Sequence, residues 1–127
     1  EELERSILNF LVEELPKFDL VVVGDFGHSL ITENMINVLE GKSNYLAVNV
    51  QSNSANLGFN FVTKYKSPNY VTMDIPELQY AVYDRFHEVP VLAAKLYANT
   101  RFKKFLVTMG GAGAGTGARR DAWIRTG

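Results

Sequence analysis

Two aspartates, a glutamate and a polar loop are the places where this sequence could do chemistry. Asp25 closes the run Asp19-Leu-Val-Val-Val-Gly-Asp25, and Asp74 closes Asn69-Tyr-Val-Thr-Met-Asp74, with Glu77 three residues further on. Apolar runs of this kind read as buried parallel strands, and parallel sheets bind ligands outside the carboxyl ends of their strands. Asp25 and its Phe26-Gly27-His28-Ser29 turn therefore sit where a ligand is expected. Between the two strands, Gln51-Ser-Asn-Ser-Ala-Asn-Leu-Gly-Phe-Asn60 offers amides and hydroxyls suited to sugar hydroxyls or phosphate oxygens. A structural reading stands beside each of these. Asp25 also serves as a strand terminator that helps its turn, Asp74 as a helix N-cap with Glu77 completing a capping box, and loops are polar in any case.

The elements that must position these groups follow from periodicity. Glu1 to Leu15 reads as an amphipathic helix with Leu3, Ile7, Phe10, Leu11 and Leu15 on one side, ended by Pro16. After the first strand, Thr32 is the expected N-cap of a helix with an apolar stripe of Met35, Ile36 and Leu39 and with Gly41 at its C-cap. Tyr45 to Val50 gives a second strand, so a strand-helix-strand unit with parallel strands is expected. The polar loop leads through Phe59, Phe61, Val62 and Tyr65 into a short helical turn. Pro76 then opens a helix with Leu78, Val82 and Phe86 on its stripe, Pro90 to Ala98 is a further helix, and Phe102 to Met109 is a fourth strand.

Composition narrows the function classes. The 127 residues suffice for one domain, 46% of them are apolar, and 13 basic residues nearly balance 14 acidic ones. No basic patch supports nucleic-acid binding, no apolar run approaches the length that spans a bilayer, and no cysteine is present for a disulfide or thiolate metal site. A cytoplasmic protein is expected. The Glu1-Glu2 start, with neither methionine nor signal region, reads as a cut. His28 and His87 lack metal-ligand spacing and read as loop and surface-helix residues, and no lysine follows the glycines as a phosphate-binding Walker loop requires.

In the order and spacing of its motifs the chain resembles the C-terminal half of a ribokinase-type (phosphofructokinase-B) sugar kinase, nearest to the ADP-heptose synthase-like members. Val23-Gly-Asp25-Phe-Gly27 is similar to their Val-Ser-Asp-Tyr/Phe-Gly strand end. Asp74-Ile-Pro-Glu77 partly matches an Asn-x-x-Glu element, and Thr108-Met-Gly110-Gly-Ala-Gly113 matches a Thr-x-Gly-x-x-Gly turn. Asn49 to Asn60 resembles a variant set in which such a domain is joined to a nucleotidyltransferase. The resemblance covers roughly residues 1 to 113. It implies a three-layer α/β fold, a mostly parallel sheet with helices on both faces, and ATP-dependent phosphoryl transfer to a sugar or sugar phosphate with Mg²⁺. It also implies sugar-side roles for Asp25, Asn49 and Asn53, nucleotide contacts from Thr108, Gly110 and Gly113, and a metal- or phosphate-orienting role for Asp74 and Glu77. Homo-oligomerisation is left open.

The departures from that pattern point to an inactive fragment. The family's Gly-Ala-Gly-Asp motif, which carries the catalytic base, has no counterpart; Gly111-Ala-Gly-Ala114 places an alanine at the base position, so no catalytic residue is assigned. Asn49 and Gln51 stand where many heptose kinases have the Asp and Lys of an Asp-Pro-Lys loop, and the N-terminal half with its sugar-covering lid is missing. A non-catalytic α/β binding module is the alternative. The kinase-like part spans 1–109, while 110–127, rich in Gly, Ala and Arg, shows no strand or helix signal and reads as a disordered or non-native tail.

Overall fold

Four parallel strands set the architecture. The protein is described here by a computed structural model that covers residues 1–27, 30–51, 62–102, 104–117 and 123–126. Its helices are α1 (Glu2–Glu14), α2 (Glu33–Lys42), α3 (Ile75–Val82) and α4 (Val89–Asn99); its strands are β1 (Val21–Asp25), β2 (Leu46–Val50), β3 (Tyr70–Asp74), β4 (Phe105–Thr108), β5 (Ala114–Gly117) and β6 (Trp123–Thr126). The sheet order is β1-β2-β3-β4-β5-β6. The first three pairings are parallel and the last two antiparallel. The expected β1-α2-β2 unit is present, and the fold class, a mostly parallel α/β sheet with helices, holds.

Local chemistry explains most boundaries. Thr32 caps α2, its hydroxyl accepting from the Met35 amide at 3.2 Å, and the Met35, Ile36 and Leu39 stripe is buried. Gly41, however, lies inside α2, which runs to Lys42 and is capped by Ser43 in an extended conformation. Pro76 lies in the first turn of α3. That helix stops at Val82 because Tyr83 turns left-handed at φ 54°, so Phe86 falls outside the helix and is 91% exposed. Thr100 follows α4 with its hydroxyl donating to the Leu96 carbonyl at 2.7 Å.

Burial is one-sided. Along β1 to β4 the buried positions alternate strictly: Val23 and Asp25, then Leu46, Val48 and Val50, then Val71 and Met73, then Phe105 and Val107. Register makes these one face of the sheet, since in-register partners on parallel strands point the same way. Ile36 and Leu39 of α2, Leu78 of α3, and Leu92 and Leu96 of α4 join the same cluster, and Leu11 of α1 packs against it. The opposite face is half-buried or exposed, with Val22 69% accessible. β1 therefore departs from a strand buried on both faces: it lies at the sheet edge, and among the described residues the helices reach one face. The expected α1 stripe is likewise largely open, with Leu3 and Phe10 exposed and no residue of the helix buried.

The expectation that residues 110–127 hold no strand is corrected. β5 and β6 form an antiparallel hairpin on β4, in spite of their glycines. The reason is backbone hydrogen bonding: β4 offers a second edge, and pairing satisfies its amides and carbonyls without demanding apolar side chains.

Candidate functional site

The last residues of the four parallel strands are Asp25, Val50, Asp74 and Thr108, which puts all the strand-end motifs along one edge of the sheet. Which face each side chain occupies then decides what meets what. Asn49 pairs in register with Thr72, and Asp74 with Thr108, all on the face opposite the described helices. Together with Gln51, Met73, Glu77 and Leu106 they line a cavity of about 400 Å³, within the range of small-molecule sites. Asn49, Asp74, Glu77 and Thr108 are thus brought together. Thr72, which the sequence motifs did not single out, joins them; its signal was the period-2 pattern that puts it on the same face as Asp74.

Asp74 and Glu77 hold each other through the start of α3. The Glu77 amide donates to Asp74 Oδ1 at 2.9 Å, and the Asp74 amide donates to Glu77 Oε2 at 2.8 Å, a complete capping box. The structural reading of the pair is therefore realised, and it engages one oxygen of each carboxylate. Across the cavity, Asn49 Nδ2 donates to Thr72 Oγ1 at 2.7 Å and to the Thr72 carbonyl at 3.2 Å. Thr108 Oγ1 donates weakly, at 3.4 Å, to the Met73 carbonyl.

The glycine turn follows from β4. Gly110 and Gly113 have φ of 56° and 92°, a backbone region that side chains with a Cβ adopt only at a cost, so glycine is required at both. The Met109 amide donates to the Gly113 carbonyl at 2.7 Å, closing a tight connection from β4 to β5. Gly110 and Gly113 thus lie just beyond Thr108, at the same edge as the cavity.

Asp25 is placed differently. It shares the covered face with Val50 and is 3% exposed. Its carboxylate accepts from the Gly27 amide at 3.0 Å and from the Tyr65 hydroxyl at 2.9 Å, and it pairs with Lys64 Nζ at 2.6 Å. Burial by itself would raise the Asp25 carboxyl. The Lys64 ammonium, with the Gly27 and Tyr65 donors, outweighs it and holds the group below the usual carboxylate range. The Tyr65 hydroxyl is pushed well up, by burial first and by the Asp25 charge second. Asn53 and His28 lie outside the described residues. His87 is in the turn between α3 and α4 rather than in a helix, with Nδ1 2.6 Å from Asp84, which also pairs with Lys95. The Lys95 ammonium first, then the Phe86 amide and the His87 ring and amide, hold the Asp84 carboxyl below its usual range.

The donor set suits Mg²⁺ as far as it goes. Asp74, Glu77, Asn49, Thr72 and Thr108 present only oxygen and amide groups, and Mg²⁺ binds through one or two carboxylates while keeping waters and phosphate oxygens. Among the described residues no three His, Cys, Asp or Glu side chains come together to hold a metal ion.

Comparison with known proteins brings in the fold. No family model matches the sequence, and no curated protein does either. Among solved structures, phosphofructokinase-2 from Escherichia coli in complex with fructose-6-phosphate aligns over 94% of this chain and 41% of its own, with a TM-score of 0.69 and 16% identity. Ribokinase from Arabidopsis thaliana, complexed with ribose and ATP, aligns over 91% of this chain and 36% of its own, with a TM-score of 0.66 and 13% identity. The chain has the ribokinase-like fold. It spans about two-fifths of the length of these sugar kinases. No helix among the described residues is long and apolar enough to cross a membrane.

Proposed function

We propose that this chain is part of a carbohydrate kinase of the ADP-heptose synthase-like kind, whose complete protein transfers a phosphoryl group from ATP to a sugar or sugar phosphate, and that the chain alone is inactive. The observation that carries the reading is the convergence of Asn49, Thr72, Asp74 and Thr108, from three adjacent strands, and of Glu77, from the first turn of α3, in one cavity at the carboxyl edge of a ribokinase-like sheet. In this reading Asp74 and Glu77 would hold Mg²⁺ and its waters at the start of α3. Gly110, Gly113 and Thr108 lie beside the nucleotide phosphates. Asn49, with Asn53, meets the sugar side, and Asp25 supports that side by anchoring Lys64 and Tyr65, which follow the polar loop. When bound, Mg²⁺ neutralises the phosphate charge that builds up during transfer. The absence of cysteine accords with a cytoplasmic location.

Inactivity of the chain alone follows from chemistry. With alanine at the base position of Gly111-Ala-Gly-Ala114, general-base assistance of about 10²–10⁴-fold is lost, and among the described residues no helix covers the sheet face that bears Asn49, which leaves a sugar poorly oriented. A non-catalytic binding module is the second reading, favoured by the commitment of Asp25 to Lys64 and Tyr65 and of Asp74 and Glu77 to each other. Assay of the purified chain with ATP, Mg²⁺ and a panel of sugar phosphates tests the proposal. The expected result is no turnover, and rates of about 1–10³ s⁻¹ contradict it.

A further inference from the structure

We infer that Thr72 is a positioning residue of the candidate site: it takes both donor hydrogens of the Asn49 amide, so Asn49 meets a ligand only as an acceptor and recognises a ligand hydroxyl rather than a phosphate oxygen. The inference rests on the reading of this cavity as the ligand site, and it adds which part of the ligand each side of the cavity takes. Asn49 Nδ2 lies within hydrogen-bond distance of two oxygens of one residue, the Thr72 hydroxyl at 2.7 Å and the Thr72 carbonyl at 3.2 Å. A carbonyl accepts and never donates, which fixes Nδ2, and not Oδ1, as the atom turned toward β3. An amide nitrogen has two hydrogens, and the two acceptors within its reach match them one for one. What Asn49 has left for a ligand is Oδ1, with lone pairs and no hydrogen.

Placement makes this matter. Asn49 and Thr72 are register partners on adjacent strands, both half-buried on the face opposite the described helices, and both line the cavity. An acceptor there repels an ionised phosphate oxygen and attracts an O–H donor of a sugar or a ribose. Asp74, Glu77 and Thr108 line the same cavity from the β3 and β4 side. The ligand's hydroxyl-bearing part is therefore placed over β2, and its phosphates, with their cation, over the start of α3 and the glycine turn.

The test is NMR on the ¹⁵N-labelled full chain, with Thr72→Val to remove the hydroxyl and Thr72→Ser to keep it, each variant first checked for an otherwise unchanged backbone spectrum. The Asn49 side-chain hydrogens should exchange with water about tenfold faster in Thr72→Val than in the parent or in Thr72→Ser, as the loss of one hydrogen bond implies. Fructose 6-phosphate and magnesium tripolyphosphate are the paired probes, the first bearing hydroxyl donors and the second, fully ionised, bearing acceptors only. Fructose 6-phosphate should move the Asn49 side-chain signals, with affinity about threefold to tenfold weaker in Thr72→Val and restored in Thr72→Ser. Tripolyphosphate should leave those signals in place. Asn49 signals that follow tripolyphosphate as strongly as the sugar phosphate, or that exchange no faster in Thr72→Val, overturn the inference. If neither probe moves the backbone amides of Asp74, Glu77 or Gly110, the ligand site itself is refuted and the recognition claim with it; the exchange comparison separately decides the Thr72 link.

Discussion

Asp25 and Asp74 each close a parallel strand, yet one residue's difference in face gives them opposite fates. Asp25 points into the covered side, where Lys64, Tyr65 and the Gly27 amide compensate its burial. Asp25→Asn should cost about 2 kcal/mol at neutral pH, a fall in melting temperature of roughly 6–10 °C, because it strands the Lys64 charge against a buried neutral group. The pH dependence has a definite sign. The folded carboxyl titrates below its ordinary value, so its stabilisation is complete above about pH 4 and is lost as pH falls toward the folded value. Thermal melts of parent and variant should therefore converge on acidification below pH ~4, and a gap that widens there contradicts the ion-pair account. Asp74 faces the cavity and the first turn of α3 instead. Asp74→Asn keeps an N-cap acceptor and should leave the melting temperature nearly unchanged, whereas Asp74→Ala should lose about 1 kcal/mol, roughly 5 °C. Equal losses in the two variants, measured by circular dichroism, would show that the charge and not the cap stabilises the helix.

At the scale of elements, strands and crossover helices were largely legible in the sequence because apolar periodicity and caps are local signals. Thr32 as N-cap, Pro76 in the first turn of α3 and the aspartate strand ends all appear where their residue types require. What was not legible depended on partners. The apolar run of β1 is compatible with burial on both faces, and only the sheet order shows it at an edge with Val22 exposed. The end of α3 depends on Tyr83 adopting a left-handed conformation that its side chain does not announce. The β5-β6 hairpin carries no apolar pattern because β4, through its backbone, recruits it. Deleting residues 114–127 should therefore uncover the β4 edge and lower the melting temperature by about 5 °C or more, the equivalent of about 1 kcal/mol for a chain of this size. An unchanged melt contradicts a stable pairing of β5 with β4.

For the whole molecule, the helices among the described residues pack on one face of the sheet, and the polar, half-buried positions at the carboxyl edge lie on the other. That is why four of the residues picked from sequence motifs, Asn49, Asp74, Glu77 and Thr108, share one cavity while Asp25 does not. A competing cavity of about 520 Å³ is lined by Thr63, Tyr65, Lys66, Asn99, Thr100 and Arg101 among others, from the segments that lead into β3 and β4. The two locations make different predictions for a nucleotide, and a titration of the ¹⁵N-labelled chain with ATP and Mg²⁺, followed through its backbone amide signals, separates them. Shifts concentrated at Asn49, Gln51, Thr72, Asp74, Glu77 and Gly110 are the predicted result, and shifts concentrated at Lys66 and Arg101, or absent from the carboxyl edge, contradict the account.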